Sequence, residues 1–278
     1  MIKKLNIYSI IKFVIQLAFF ISMPALYSAA FSGIKYIAIQ IHSQEMIVWN
    51  PFLSTLAVLL VSTIIFGRFF CGFACSFGSV GDLLFTCSTL IQKKFRKKIF
   101  ILPDSAIKYL NYLKYVVLIG IIALCLTGTY SYISQADPWE IFASFRAGNF
   151  AINGRYIALA ILIAIVIGMC LVERFFCQFL CPMGAVFALM PSLPFLIFNR
   201  EKKDCIPGCT ICIKTCPASI SLGEKHSRYN DCFQCGKCSV KCPKKNMRLG
   251  IRKLLGTEVW LTAGKAVILL VVCWPLMN

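Results

Sequence analysis

Histidine is almost absent. The chain of 278 residues has 2, His42 and His226, and neither lies in a long apolar run. Bundle-embedded haem needs axial ligands such as histidine, so a bis-histidine haem is excluded. Acidic residues are scarce too: 11 Asp and Glu stand against 29 Lys and Arg, giving a net charge of +18. Charged residues make up only 14% of the chain and hydrophobic ones 59%, too apolar for an ordinary soluble domain. The first four apolar runs carry no charge at mid-depth, which argues against an ion or proton relay. No GxxxxGK[ST] nucleotide loop is present. Basic residues sit in short runs beside apolar segments, the pattern of cytoplasmic loops in membrane proteins or of a face meeting anionic lipid. Nucleic-acid binding is not expected.

What is present begins with apolar runs near the length of about 20 residues that crosses hydrocarbon. They cover about 10–31, 52–70, 109–133 and 156–172. The first runs past the usual apolar length of a signal peptide and reads as a retained span. The connection from Ser32 to Pro51 is mixed and reads as a loop. Lys3, Lys4 and Lys12, the loop run Lys93, Lys94, Arg96, Lys97 and Lys98, and Arg200, Lys202 and Lys203 outnumber Lys35, Arg146 and Arg155 on the other side. The positive-inside rule therefore places the amino terminus and everything after the fourth span in the cytoplasm. A tail from Val259 to Met277 is apolar except for Lys265. It reads either as a fifth span or as a surface helix with Lys265 snorkelling to water.

From Cys205 to Pro243 lie eight cysteines in two groups, each ending in Cys-Pro. The second group, Cys232-x2-Cys235-x2-Cys238-x3-Cys242-Pro243, has the spacing of a bacterial ferredoxin, in which the fourth cysteine of each run serves the other cluster. That rule assigns Cys205, Cys209, Cys212 and Cys242 to one [4Fe–4S] cluster, cluster I. It assigns Cys232, Cys235, Cys238 and Cys216 to cluster II. The first group has three residues between Cys205 and Cys209, including the turn pair Pro207-Gly208. Zinc also uses C-x2-C pairs, and a disulfide framework would need an oxidising compartment. The tandem spacing and the cytoplasmic placement favour iron–sulfur.

The membrane part repeats itself. Arg68-Phe69-Phe70-Cys71-x3-Cys75-x2-Gly78-x-Val80 matches Arg174-Phe175-Phe176-Cys177-x3-Cys181-x2-Gly184-x-Val186 at a constant offset. Each copy follows a span that enters the cytoplasm, as in parallel repeats. On a helix, cysteines at i and i+4 share a face. If the copies meet symmetrically, Cys71, Cys75, Cys177 and Cys181 converge on a further metal, cluster or thiol redox site. The alternative is packing, cysteine being a small hydrophobe. Arg68 and Arg174 would anchor to lipid phosphate, or stabilise thiolates or a quinone oxygen. Cys87, Cys125, Cys170 and Cys273 stand alone and read as packing residues, and His226 as a solvated linker residue.

The fold class expected is mainly α. It is a polytopic helical bundle of four spans, with a fifth open, over residues 1–198. A small α+β two-cluster ferredoxin domain follows over 199–250, and a membrane-associated helix over 251–278. The spans, the doubled C-x3-C and the double ferredoxin run together resemble the NapH-type membrane ferredoxins, with the NosR membrane domain and the CcoG proteins as relatives. Cys177-x3-Cys181-Pro182 matches the family's C-x3-C-P, whereas the first copy has Ser76 after Cys75. No extra periplasmic domain of the NosR or CcoG kind is evident, so the short NapH-like form is expected. The resemblance implies a multi-pass protein of the cytoplasmic membrane. It would pass electrons between the quinone pool or a cytoplasmic donor and a membrane or periplasmic partner reductase. A metal-reducing assembly factor, as in CcoG, is the alternative.

Overall fold

The computed structural model describes residues 2–95, 102–130, 134, 137–146, 148–149, 155–191, 193, 198–200, 205–220, 229–249, 252–254 and 259–277. Arg96, Lys97, Lys98, Ile133, Lys202, Lys203 and His226 lie outside them. The fold is mainly helical. It divides into two compact units: Met1–Pro24, Ala57–Ser79 and Val186–Asn278 form the first, and Ala25–Leu56 with Val80–Ala185 the second.

Helix α1 (Ile2–Ser22) ends where Pro24 supplies no N–H to continue the ladder. The chain then resumes as α2 (Leu26–Ser43), closed by Gln44 in the left-handed region at φ 57°. The expected single span at 10–31 is thus two helices, and most of the expected loop from Ser32 is helical. Helix α3 (Pro51–Phe66) starts on Asn50, whose Oδ1 accepts the Leu53 N–H at 2.9 Å, with Pro51 in the first helical position. It stops at Gly67, short of the expected end at Phe70. The short α4 (Phe69–Phe73) and α5 (Ser76–Lys94) follow.

Helix α6 (Asp104–Leu126) starts earlier and ends sooner than the apolar run suggests. Helix α7 (Pro138–Arg146) repeats the α3 start: Asp137 Oδ1 accepts the Trp139 N–H at 3.0 Å and Pro138 takes the first position. Helix α8 (Tyr156–Leu171) is followed by a π turn at Phe176–Leu180 and by α9 (Pro182–Leu189). The turn folds back onto α8 because Gly168 has no side chain; a Cβ there would collide with the Phe175 ring.

In the first unit, β1 (Phe198–Arg200), β2 (Met247–Leu249) and β3 (Arg252–Leu254) form an antiparallel sheet in that order. Phe198 pairs with Leu249 and Arg200 with Met247, so the two ends of the cysteine-rich region are tied together. Inside it lie α10 (Ile211–Thr215) and α11 (Lys237–Lys241), packed on each other. Helix α12 (Val259–Met277) closes the unit against α1.

Among the described residues one helix is long and apolar enough to cross a membrane, Tyr109–Leu126, or two if Ile7–Ser22 and Leu26–Ser43 count as one span. Pro51–Phe66 and Tyr156–Leu171 are shorter apolar helices. Their 16 residues rise about 24 Å at 1.5 Å each, under the hydrocarbon thickness of about 30 Å. Charge is also present inside the apolar helices. Lys114 of α6 is only 1% exposed, and Lys35, expected in a connection, lies in α2.

Candidate iron–sulfur site

The eight cysteines of the ferredoxin region line two cavities. Cys205, Cys209, Cys212 and Cys242 line one, with Pro243, Lys244 and Asn246. Cys216, Cys232, Cys235 and Cys238 line the other, with Pro217 and Phe233. Each cavity takes three cysteines from one run and the fourth from the other. The Cys-Pro pairs help to make this exchange. A residue before proline is driven out of the helical region. Cys216 and Cys242 accordingly cap α10 and α11 with extended backbone, at ψ 119° and 118°.

The donor set fits an iron–sulfur group. Among the described residues, no three His, Cys, Asp or Glu side chains close on a single-ion site; the sulfurs surround space instead. Cys232, Cys235 and Cys238 are buried. Burial, and then the neighbouring sulfurs, push the Cys232 and Cys238 thiols well above the ordinary cysteine range. Positive charge, as from iron, makes thiolates favourable there. Asn246 is 1% exposed. Its backbone N–H points to Cys242 Sγ at 3.3 Å and its Nδ2 to Cys205 Sγ at 3.6 Å. Such N–H groups favour anionic sulfur.

The second cavity's loop sits on the first RFFC motif. Arg68 Nη1 donates to Asp231 Oδ1 at 2.9 Å, and the guanidinium lies 5.0 Å from the Phe233 ring centroid. Tyr8 Oη donates to the Cys235 carbonyl at 2.6 Å. Gly72 meets the Phe233 carbonyl oxygen so closely that no Cβ fits, and its own carbonyl accepts from Gln16 Nε2 at 3.2 Å. Lys265 of α12 is 6% exposed. Its ammonium lies over the Phe66 and Phe69 rings at 5.8 and 5.9 Å, so it does not snorkel to water.

Neither C-x3-C stays on one helix, contrary to the shared-face expectation. Cys71 is in α4, but Cys75 falls in the break before α5. Cys177 is in the π turn, and Cys181 caps it with ψ 115° before Pro182. All four are buried. Cys71 and Cys75 belong to the first unit, Cys177 and Cys181 to the second. Cys181 Sγ accepts the Gly184 N–H at 3.2 Å at the start of α9. Tyr27 Oη lies 3.9 Å from the same sulfur. Neither arginine meets lipid, since Arg68 is 1% and Arg174 2% exposed. Arg174 grips Asp82 with Nε to Oδ1 at 2.6 Å and Nη2 to Oδ2 at 2.5 Å.

The second unit also holds an apolar cavity of about 460 Å³ between α6, α8 and the π turn. Val117, Ile121, Ile161, Ile165, Phe176 and Leu180 line it, and Tyr130, Asp137 and Trp139 add polar groups. Asp137 accepts from Tyr130 Oη at 2.7 Å and faces Lys35 Nζ at 3.5 Å. The buried Trp139 Nε1 has no hydrogen-bond partner among the described residues. Asp137 and Trp139 stand out in the sequence only as part of a connecting segment. Asn246, Asp231, Tyr8 and Asp82 carry no sequence signal, being polar residues without a motif.

Comparison with known proteins agrees with this chemistry. Residues 48–98 and 155–198 match the family described as 4Fe-4S binding domain. The matched segments hold the two RFFC motifs rather than the ferredoxin run. An uncharacterized protein of Methanocaldococcus jannaschii is 31% identical over 69% of this chain and 76% of its own length. The regulatory protein NosR of Pseudomonas aeruginosa is 24% identical over 70% of this chain but 28% of its own length. YccM of Escherichia coli, whose name assigns it to electron transport, is 23% identical over 68% of this chain and 52% of its own. No solved structure matches. Four-cysteine cavities, a doubled cysteine motif and these likenesses converge: the chain belongs to one family with the 31% identical Methanocaldococcus jannaschii protein and carries the segments of the 4Fe-4S binding domain.

Proposed function

We propose that the protein is a multi-pass membrane electron carrier holding two [4Fe–4S] clusters, in the manner of NapH-type ferredoxins. It exchanges electrons with the quinone pool or a cytoplasmic donor and with a membrane or periplasmic partner reductase. The observation that carries this reading is the pair of cavities, each lined by four cysteines drawn from both runs. A bound cluster supplies one-electron exchange. The chain's own residues do the rest. Cys205, Cys209, Cys212 and Cys242 hold cluster I, with Asn246 orienting two of the sulfurs. Cys232, Cys235, Cys238 and Cys216 hold cluster II. Arg68 and Tyr8 clamp its loop to the first RFFC motif.

Four spans with a cytoplasmic amino terminus and ferredoxin domain complete the reading. Large apolar side chains left exposed on α1, α6 and α8 support it: Phe13, Val14, Val116, Ile119, Ile157 and Ile167 are each more than half exposed. That is what hydrocarbon would cover. The apolar cavity supports the quinone part. Its volume is that of a small-molecule site, with Trp139 Nε1 as a hydrogen-bond donor and Asp137 as a proton acceptor. Cys71 with Cys75 in the first unit, and Cys177 with Cys181 in the second, are each a candidate thiol redox pair.

Purified protein is expected to contain about eight non-haem irons, four per cluster, and to give reducible cluster signals in electron paramagnetic resonance. Iron-free protein with zinc in its place overturns the reading. One observation favours a second role, a metal-reducing assembly factor: the matched family segments centre on the C-x3-C motifs. Copper retained by the purified protein and lost on Cys177→Ser, with quinol oxidation unchanged, would select that role.

A further inference from the structure

Lys35, Tyr130 and Asp137 come from three places in the second unit: α2, the segment just past α6, and the start of α7. Lys35 Nζ donates to Tyr130 Oη at 2.9 Å, and Tyr130 Oη donates to Asp137 Oδ2 at 2.7 Å. The ammonium also faces Asp137 Oδ2 directly at 3.5 Å. Group chemistry sets these directions. An ammonium only donates and a carboxylate only accepts, so the hydroxyl between them does both. Asp137 Oδ1 is held by the Trp139 N–H at 3.0 Å. The Phe31 and Tyr130 rings lie 4.9 and 5.0 Å from the ammonium. The three polar groups are thus fixed in one row.

That row begins at the apolar cavity. Tyr130 and Asp137 line it and Lys35 does not. The Asp137 side chain is 5% exposed and that of Lys35 15%, so the ammonium is the more open end. Trp139, which also lines the cavity, leaves a buried Nε1 without a hydrogen-bond partner among the described residues. An ion pair that merely fastened α2 to α7 would need neither a hydroxyl between its charges nor a cavity beside it.

We infer that Asp137, Tyr130 and Lys35 are a proton relay between a quinone in this cavity and solvent. The inference rests on the quinone reading above and adds the path of the protons. A quinol that becomes a quinone loses two electrons, taken singly by two oxidised iron–sulfur centres, and two protons, which need a base. Each quinol O–H breaks toward the Asp137 carboxylate. A protonated Asp137 no longer balances the ammonium, and Lys35 gives a proton to water. The Tyr130 hydroxyl proton then passes to the Lys35 amine, and the Asp137 proton replaces it on Tyr130. The hydroxyl turns back to the carboxylate, and the row is reset with one proton delivered to solvent. Two passes clear one quinol, so a single carboxylate serves both protons. Quinone reduction runs the same row in reverse.

The test follows quinol-linked cluster reduction by stopped flow in the full-length, iron-loaded protein in nanodiscs, with menadiol and decylubiquinol as probes. Tyr130→Phe keeps the ring and removes the link. Lys35→Arg keeps the charge opposite Asp137 but holds its proton too tightly to pass it on. Lys35→Ala removes both and leaves room for a small amine. Each variant is expected to lower the maximal rate about 10²-fold, the scale of a lost acid–base group. The quinol concentration at half-maximal rate, the iron content and reduction by dithionite should stay as in the wild type. Added methylamine should restore part of the rate to Lys35→Ala and none to Tyr130→Phe. A wild-type rate in Tyr130→Phe overturns the inference. So does a wild-type rate in Lys35→Arg, which would leave Lys35 the charge partner of a structural ion pair. These two variants decide the matter even if Lys35→Ala fails to fold. Wild-type protein whose clusters neither quinol reduces would instead sink the quinone reading itself, so the two failures are distinguishable.

Discussion

Arg68 Nη1 lies 2.9 Å from Asp231 Oδ1, across 163 residues of sequence. Asp231 immediately precedes Cys232, and Arg68 opens the first RFFC motif, so one ion pair joins the apolar helices to the cysteine cavity within the first unit. The arginine is 1% exposed and the carboxylate side chain 12%. Removing one partner of such a pair leaves a buried charge uncompensated.

Arg68→Gln and Asp231→Asn are therefore each expected to destabilise the first unit by about 3 kcal/mol. Both should loosen the second cavity, with iron lost on thermal challenge before the wild type loses it. The apolar double variant Arg68→Met with Asp231→Leu should cost less than the sum of the singles. Thermal melts of the three proteins with iron assays check this. Additive losses would mean that the pair does not couple the two segments.

Gly72→Ala places a Cβ against the Phe233 carbonyl oxygen, where backbone must move. The expected outcome is loss of one cluster signal with the other retained. Gly120→Ala in α6 is the control. A Cβ there meets nothing within 4 Å, and replacing a helical glycine stabilises by up to about 1 kcal/mol. Equal behaviour of the two variants in resonance spectra would count against the contact.

Exchange of cysteines between the cavities predicts crossed phenotypes. Cys242→Ser should alter the centre that Cys205, Cys209 and Cys212 serve, not the one served by its neighbours Cys235 and Cys238. Cys216→Ser should do the reverse. Comparing the variants' spectra with those of Cys209→Ser and Cys235→Ser sorts them into two groups. Grouping by position along the chain would contradict the cavity geometry.

The apolar cavity predicts a separable defect. Ile165→Trp fills it and should abolish quinol-linked cluster reduction. Trp139→Phe should weaken quinol binding several-fold, losing one hydrogen bond of about 1 kcal/mol. Asp137→Asn should slow the reduction about 10²-fold, the scale of a lost proton acceptor. Iron content and dithionite reduction should stay at wild-type levels. If Ile165→Trp oxidises quinol normally, the ligand binds elsewhere.

Local chemistry explains what the residue order settles. Thiolate spacing selects iron–sulfur chemistry because the ligand set lies within short stretches, and Cys-Pro forces its own extended turn wherever it occurs. Long apolar runs declare helices, since backbone groups in an apolar setting must bond within their own segment. The same runs misplace boundaries, because Pro24 and Gly67 break helices inside stretches of unbroken hydrophobicity. Tertiary structure alone decided which charges meet. Arg68 with Asp231, Arg174 with Asp82 and Lys35 with Asp137 each join residues distant in sequence, and no periodicity marks such a partner. Lys265 shows the physical reason most plainly: whether a lysine snorkels, anchors or lies buried over aromatic rings depends on what surrounds it in space, and that is a property of the assembled unit.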